Sequence, residues 1–359
     1  MKKIGVLVID DSALIRKLLT ELLNKDPEIE VLDAAADPFI AREKIKKLNP
    51  DVLTLDVEMP KMDGITFLRN LMRLRPMPVV MVSTMTEKGA EVTLEALELG
   101  AIDYVTKPNL DVADSMGDYA EEIIEKIKVA SKAKVRSIED RVKADKVEPK
   151  LSADAIIEKK AGRKSHLKTT EKIIAIGAST GGTEAIREVI ERLPANSPGI
   201  VVTQHIPAAF SASFAKRLNS VSAITVSEAK DGDQIIPGHA FIAPGDKHLM
   251  VERSGARYYC RLNDGPPVNR HIPSVDVLFR SVAQNVGPNA IGVMLTGMGA
   301  DGAEGMMEMK TNGATNIAQD EKTSVVWGMP GEAVKIGAVD KELPLEKIAG
   351  KLMSLIQKG

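Results

Sequence analysis

"KIIAIGASTGGTEAIREVIERL", residues 172–193, decides how the second half of this chain folds. A β-branched apolar run, the mark of a buried strand, stops at the small-residue cluster "GASTGG", and a helical pattern follows. Two kinds of chemistry use such a strand–turn–helix. Gly177-Ala178-Ser179-Thr180-Gly181 fits G-x-S-x-G, in which a sharp turn exposes a serine hydroxyl. A glycine-rich turn at a helix N-terminus also suits a dinucleotide pyrophosphate. The G-x-G-x-x-G pattern is not met, because Ser179 holds the place of its second glycine. The next strand, "GIVVTQ" (199–204), is followed by His205 where a ribose would require an acid. A nucleophile is favoured over a cofactor loop, and a plain structural turn stays open.

Outward from this stretch the same alternation repeats. "HAFIAP" (239–244), "AIGVMLTG" (290–297) and "TNIAQD" (315–320) read as further strands, with short extra strands near 248–263. In the first third, "IGVLVI" (4–9), "IEVLDAA" (29–35), "DVLTLDV" (51–57), "PVVMVS" (78–83) and "AIDYVTK" (101–107) alternate with helical patterns such as 12–24 and 88–100. Ser12 is placed to cap the first of these helices and Gly100 to end the other. Near-continuous apolar strands separated by helices predict parallel sheets covered on both faces. Two doubly wound α/β domains result, the first a five-stranded flavodoxin-like sheet and the second mainly parallel and Rossmann-like.

Between them the composition changes. Residues 131–172 contain no Phe, Trp or Tyr, and 132–172 carry a net +6 against −8 for the remainder. This predicts a charged linker over 126–170 between domains at 1–125 and 171–359. A length of 359 residues suits two domains, and an apolar fraction of 44% supports full cores. The net charge of −2 argues against a general nucleic-acid binder. One cysteine, Cys260, cannot form an internal disulfide, which fits a reducing, cytoplasmic setting. The start "MKKIGVLVID" reads as a first strand, and no apolar stretch approaches the ~20 residues of a membrane span.

In the first domain, Asp10 and Asp11 end the first strand, Asp56 the third, Ser83 the fourth and Lys107 the fifth. Ligands of doubly wound sheets sit beyond these strand ends. Three carboxylates gathered there call for a cation, and oxygen ligation suits Mg²⁺. Asp56 can attack a phosphoryl group that the metal, the Lys107 ammonium and the Ser83 hydroxyl stabilise. The motifs "DD" (10–11), "LDVEMPKMDG" (55–64), "VSTMT" (82–86) and "TKP" (106–108) closely resemble a two-component receiver domain over residues 1–125. The resemblance implies Asp56 as phosphoacceptor, with Asp11 a direct Mg²⁺ ligand, Asp10 assisting and the Glu58 carbonyl completing the protein ligands. It also implies Ser83 and Tyr104 as a switch pair and a cis peptide at Pro108. A sensor histidine kinase is the implied phosphodonor.

In the second domain, His205 follows the strand next to that of Ser179 and can accept its proton. A base needs an orienting acid, and "VMLTGMGADGAEGMMEMK" (293–310) offers Asp301 after a glycine-rich turn. Capping the next helix is the plainer role for Asp301. "GASTGG", "TQHIP" (203–207), "AFIAPGDKH" (240–248), "GPPVNRHIPSVDVLF" (265–279) and "LTGMGADGAEG" (295–305) resemble the catalytic domain of chemotaxis protein-glutamate methylesterases. The resemblance implies Ser179 as nucleophile, His205 as base and acid, and Asp301 as orienter. Thr180, His271 and Met298 would line the cleft, with the Met298 N–H an oxyanion donor. It further implies hydrolysis of glutamate methyl esters on chemoreceptors, deamidation of receptor glutamines, no cofactor in this domain, and a receiver that covers the cleft until Asp56 is phosphorylated. Two rival outputs fare worse. DNA binding would require a basic helix-turn-helix after the linker, and an NAD-dependent domain would require the ribose acid.

Overall fold

A computed structural model describes residues 3–59, 62–83, 92–107 (except 94 and 98), 116–133, 152–159 and 172–357. Contacts divide the chain into two compact units, Met1–Val142 and Lys143–Gly359.

The first unit holds a five-stranded parallel sheet in the order β2-β1-β3-β4-β5. Its strands are β1 (Ile4–Ile9), β2 (Ile29–Ala35), β3 (Val52–Asp56), β4 (Val79–Ser83) and β5 (Asp103–Thr106). The central strands β3 and β4 are buried at every position, as a sheet covered on both faces requires. Helix α1 (Ala13–Leu23) starts where Ser12 accepts the N–H of Ile15, a cap of the kind that contributes about 1 kcal/mol. Helices α2 (Pro38–Leu48) and α3 (Gly64–Leu74) are capped in the same way by Asp37 and Asp63. Gly100 takes a φ of 108°, the left-handed turn expected of it. Helix α4 (Met116–Lys132) follows β5. Pro108 and residues 84–91, 94 and 98 of the 84–108 switch surface lie outside the described residues.

The second unit is built on a seven-stranded sheet, β15-β14-β13-β6-β7-β10-β8. Every pairing within it is parallel. Strand β6 (Ile173–Ala178) lies between β7 (Gly199–Gln204) and β13 (Ala290–Met294). The other members are β8 (Thr225–Glu228), β10 (His239–Ile242), β14 (Thr315–Gln319) and β15 (Lys341–Leu343). Residues 248–263 form an antiparallel hairpin, β11 (His248–Ser254) and β12 (Arg257–Asn263), extended by β9 (Gln234–Ile235). Five helices bear on the sheet's chemistry and packing: α5 (Gly182–Glu191), α6 (Ala208–Val221), α7 (Val275–Asn285), α8 (Ala303–Thr311) and α9 (Met329–Lys335). A last helix, α10, spans Leu345–Gln357. Helix α7 is buried along most of its length, Val275 to Ala283, between the hairpin and α8. Among the described residues, no helix is long and apolar enough to cross a membrane.

The charged stretch 126–170 is not uniformly extended. Helix α4 runs through it to Lys132, and Ala153–Ala155 form a turn of 3₁₀-helix. Around that turn, Ala153, Ile156 and Ile157 cover Val268 and Val277. Three apolar residues in a charged run are too few to show a periodic stripe, which is why the sequence pattern reads as solvated.

Candidate active site

Ser179 is the first residue after β6. Gly181, with φ 74°, turns the chain into α5, and a side chain there would strike Val325. The Ser179 N–H donates to the Thr296 carbonyl (3.0 Å), and its own carbonyl accepts from Gly182 (2.6 Å) and from the Gln204 amide (2.9 Å). Gly297 lies so near that a Cβ on it would stand 2.9 Å from the Ser179 Cβ. The serine is therefore fixed on both sides by backbone.

His205 follows β7, and its N–H donates to the Ala178 carbonyl (3.2 Å), which ties it to the end of β6. Its Nδ1 lies 3.2 Å from Ser179 Oγ and its Nε2 lies 2.8 Å from Asp301 Oδ2. Strands on either side of β6 thus deliver the base and the acid to the serine between them. With Asp301 ionised, the Nε2 hydrogen is donated to the carboxylate, so the neutral ring offers its Nδ1 lone pair to the hydroxyl.

Asp301 does not cap α8; that position belongs to Gly302, at φ 91°. Its carboxylate, 1% exposed, collects hydrogens instead. Besides His205, it accepts from Ser274 Oγ (2.8 Å), Asn269 Nδ2 (2.7 Å) and the N–H groups of Val275 (2.6 Å) and Asp276 (3.3 Å). Burial alone would raise its pKa, but the hydrogen bond from His205, the charges that His205 and His271 carry once protonated, and the Asn269 amide outweigh it. The group is held well below the usual carboxylate range. Neighbouring Asp276 moves the other way, raised by its own burial and by the Asp301 charge. His271 stacks on His205, ring centroids 3.7 Å apart and planes 16° from parallel. Thr180 is buried, and its carbonyl accepts from Thr296 Oγ1 (3.0 Å). Met298 stands in the same glycine-rich turn as Asp301, next to Gly297 and Gly299 (φ 82°).

Sequence reasoning missed Asn269, Ser274, Gln204 and His248. The last is a buried imidazole that accepts the Ser274 N–H (3.1 Å) and donates to the Pro266 carbonyl (3.0 Å). All but Gln204 and His248 lie within "GPPVNRHIPSVDVLF", whose density of polar residues beside a helix start was the available signal.

In the first unit, ligand oxygens of Asp10, Asp11 and Asp56 lie within 4.8 Å of one another. Lys107 Nζ is 2.8 Å from Asp56 Oδ2 and 3.2 Å from Asp10 Oδ2. Asp10 and Asp56 are almost fully buried. Burial, together with the Asp10 charge, pushes the Asp56 carboxyl up to about 6 against the pull of Lys107. Burial would lower Lys107, but the two carboxylates outweigh it and raise its pKa. Two buried carboxylates and an exposed third, with one ammonium beside them among the described residues, are short of positive charge, so the donor set fits a hard divalent cation. Ser83 is buried at the end of β4, and its carbonyl accepts the Lys107 N–H (2.6 Å). Tyr104 is buried in β5, under the Lys126 ammonium at 5.0 Å from its ring centre. Glu58 is exposed, its N–H donating to Asp56 Oδ1 (3.3 Å).

Two family descriptions match: CheB methylesterase over 174–352 and response regulator receiver domain over 6–114. A protein-glutamate methylesterase/protein-glutamine glutaminase of Hydrogenovibrio crunogenus is 58% identical over the whole of both chains. One of Xanthomonas campestris is 57% identical over 98% of this chain and 97% of its own. The chain belongs to the protein-glutamate methylesterase/protein-glutamine glutaminase family. Among solved structures, the CheB methylesterase catalytic domain of Thermotoga maritima is 42% identical, covers 52% of this chain and 98% of its own, and gives a TM-score of 0.51.

Proposed function

We propose that this family member is a serine hydrolase whose catalytic line is Ser179–His205–Asp301. The observation that carries the reading is the continuous chain of contacts from Ser179 Oγ through both nitrogens of His205 to a buried carboxylate with five donors. Its activity is that of a chemotaxis methylesterase and deamidase under receiver control, acting on glutamate methyl esters and glutamines of chemoreceptors.

The steps follow from the geometry. Ser179 Oγ attacks the ester carbonyl carbon while its proton passes to His205 Nδ1, and Asp301 stabilises the imidazolium through Nε2–H. The tetrahedral oxyanion faces the glycine turn, where the Met298 N–H is the donor we assign; one such donor lowers the barrier by about 2.7–4 kcal/mol. The C–O bond to methanol breaks as Nδ1 returns the proton to the leaving oxygen. Water then attacks the acyl-serine, gives a proton to Nδ1, and releases glutamate and the free hydroxyl. With glutamine as substrate the leaving group is ammonia. Thr180 and His271 line the cleft, and no step requires a cofactor in this unit.

In the receiver, Asp56 is the phosphoacceptor, and Asp10, Asp11, Asp56 and the Glu58 carbonyl would hold Mg²⁺. Bound there, the ion supplies the positive charge that a transferring phosphoryl group needs. Lys107 and Ser83 contact the phosphoryl oxygens, and Tyr104 answers with a change of rotamer. A sensor histidine kinase is the donor, and the setting is cytoplasmic. The test is methanol release from methylated receptor membranes. Ser179→Ala is expected to abolish it, and Asp56→Asn to remove only its stimulation by a small-molecule phosphodonor. Methanol release by Ser179→Ala at the parent rate would sink the serine mechanism.

A further inference from the structure

Residues 268–271 form a turn closed by reciprocal bonds, Val268 N–H to the His271 carbonyl (3.0 Å) and His271 N–H to the Val268 carbonyl (2.9 Å). Its two middle residues, Asn269 (φ 52°) and Arg270 (φ 68°), are both left-handed. Non-glycine residues keep that conformation only where their surroundings over-determine it, and such places cluster at functional sites. At the tip, one Asn269 amide nitrogen gives its two hydrogens to two carboxylates, Asp301 Oδ1 (2.7 Å) and Asp276 Oδ2 (2.6 Å). Both acceptors are buried, at 1% and 5% exposure. Two adjacent buried carboxylates repel, and a shared donor between them fixes their separation and their planes. Two residues further on, His271 stacks on the catalytic imidazole. One turn therefore touches both the acid and the base.

The base of the turn rests on the segment that reads as linker. Val268 is fully buried against Ala153 and Val277, with Ile156 and Ile157 packed on them. Ile156 also closes over Gly265, leaving no space for a side chain there. Charge holds the segment in place: the buried Arg280 guanidinium donates to Asp154 Oδ1 (2.7 Å) and the Ile157 carbonyl (2.9 Å), and to Glu308 (2.7 Å) on its other side. Gln284 adds a bond to the Glu158 carbonyl (2.8 Å). Arg280 and Gln284 both lie on α7, whose first turn supplies the Val275 and Asp276 N–H groups to Asp301.

We propose that the 268–271 turn is the positioning element of the triad, with Asn269 setting the Asp301 carboxylate toward His205 and residues 153–157 strapping the turn from behind. This rests on the serine mechanism above and deepens it. Asn269 is a positioning residue, since it reaches the reacting atoms only through Asp301. The strap is part of the catalytic unit and not of the connection between units.

The experiment uses the full-length protein and four variants. Asn269→Gly removes the amide while keeping a residue at ease at φ 52°, so loss of fold does not confuse the result. It should lower kcat by about ten- to a hundredfold with KM within about twofold, the size of effect a small misplacement of a catalytic group has. Labelling of Ser179 by a fluorophosphonate should slow in parallel, and the low-field proton resonance of the His205–Asp301 hydrogen bond should move upfield. Asn269→Asp, which replaces a donor with a third carboxylate, should lose more. Ile156→Ala should show the same signature at about threefold. Unchanged kcat and an unmoved resonance in Asn269→Gly, with Ser179→Ala inactive, overturn the positioning role and leave the triad intact. Unchanged kcat in Ile156→Ala overturns the strap. Activity in Ser179→Ala overturns the triad itself.

Discussion

Each unit places a buried aspartate at or beyond the end of a parallel strand, and the two sit in opposite surroundings. Among the described residues, Asp56 has one backbone donor and an ammonium shared with Asp10, and stands beside another buried carboxylate. Burial wins there, and the carboxyl is pushed up to about 6. Asp301 has five donors from four neighbouring residues and the facing imidazole, and those donors overcome a burial just as complete. The same fold position serves both because the loops after the strands, not the strands, supply the donors. A carboxylate left short of hydrogens suits a group that must bind a cation and attack phosphorus. A carboxylate with a full set suits one that must stay ionised and still while a proton moves beside it.

The comparison breaks most sharply at Asp301. Asp301→Asn presents an amide to His205 Nε2 and favours the wrong tautomer, so kcat should fall by about 10⁴-fold, the loss such a change produces in other serine triads. Phosphorylation of Asp56 in that variant should proceed at the parent rate. Radiolabelled phosphate incorporation and methanol release, measured on one preparation, check both halves. The converse effect comes from removing divalent cations. Chelation should slow phosphorylation of Asp56 by about a hundredfold or more while leaving basal ester hydrolysis within about twofold, because metal is required only where carboxylates lack donors. An equal loss of both activities would mean that the catalytic unit also depends on a cation.

Legibility in the sequence divides along the same physical line. The places of the strands and the parallel sense of the sheets follow from apolar runs such as "KIIAIGA" and "IGVLVI", since a strand buried on both faces has no polar alternative. The residues we propose to react lie at the ends of those runs: Ser179, His205 and Asp56 are each the last or the next residue of a strand. Residues that hold them were harder to see. Asn269 reaches Asp301 across 32 positions, from a turn whose left-handed backbone leaves no periodic trace. Arg280 looks like the polar face of an amphipathic helix until the acid it pairs with, Asp154, is found 126 residues earlier. Such long-range polar pairs have no pattern of their own in one sequence.

A smaller effect sharpens the account of the serine's placement. Gly297→Ala puts a methyl group 2.9 Å from the Ser179 Cβ and 3.0 Å from its N, with Met329 Sδ on the far side. The Met329 side chain can yield, but the Ser179 backbone is held by Thr296 and cannot. Overpacking of this kind costs about 1–3 kcal/mol of stability. A displaced Oγ should add a roughly tenfold loss of kcat. Measuring melting temperature and fluorophosphonate labelling of the same variant separates the two. Parent-rate labelling would show that the glycine serves packing alone.

The least of the expected effects is a difference in acid stability, and here the sign distinguishes the two buried partners of Asn269. Asp301 has a depressed pKa when folded, so its contribution is complete above the unfolded value of about 3.9 and is lost as pH falls below it. Asp276 is raised, so its contribution is complete below about 3.9 and is lost as pH climbs toward its folded value. Below pH ~4 the Asp276 contribution is level and only that of Asp301 still changes. Trp327, the chain's one tryptophan, lies in the catalytic unit and reports on its unfolding separately. Followed by its fluorescence between pH 4 and 2, windows about the reference value, the parent protein should lose stability more steeply than Asp301→Asn. Parallel curves would mean that Asp301 is no more ionised in the folded chain than in the unfolded one, and the contrast with Asp56 would lose its electrostatic basis.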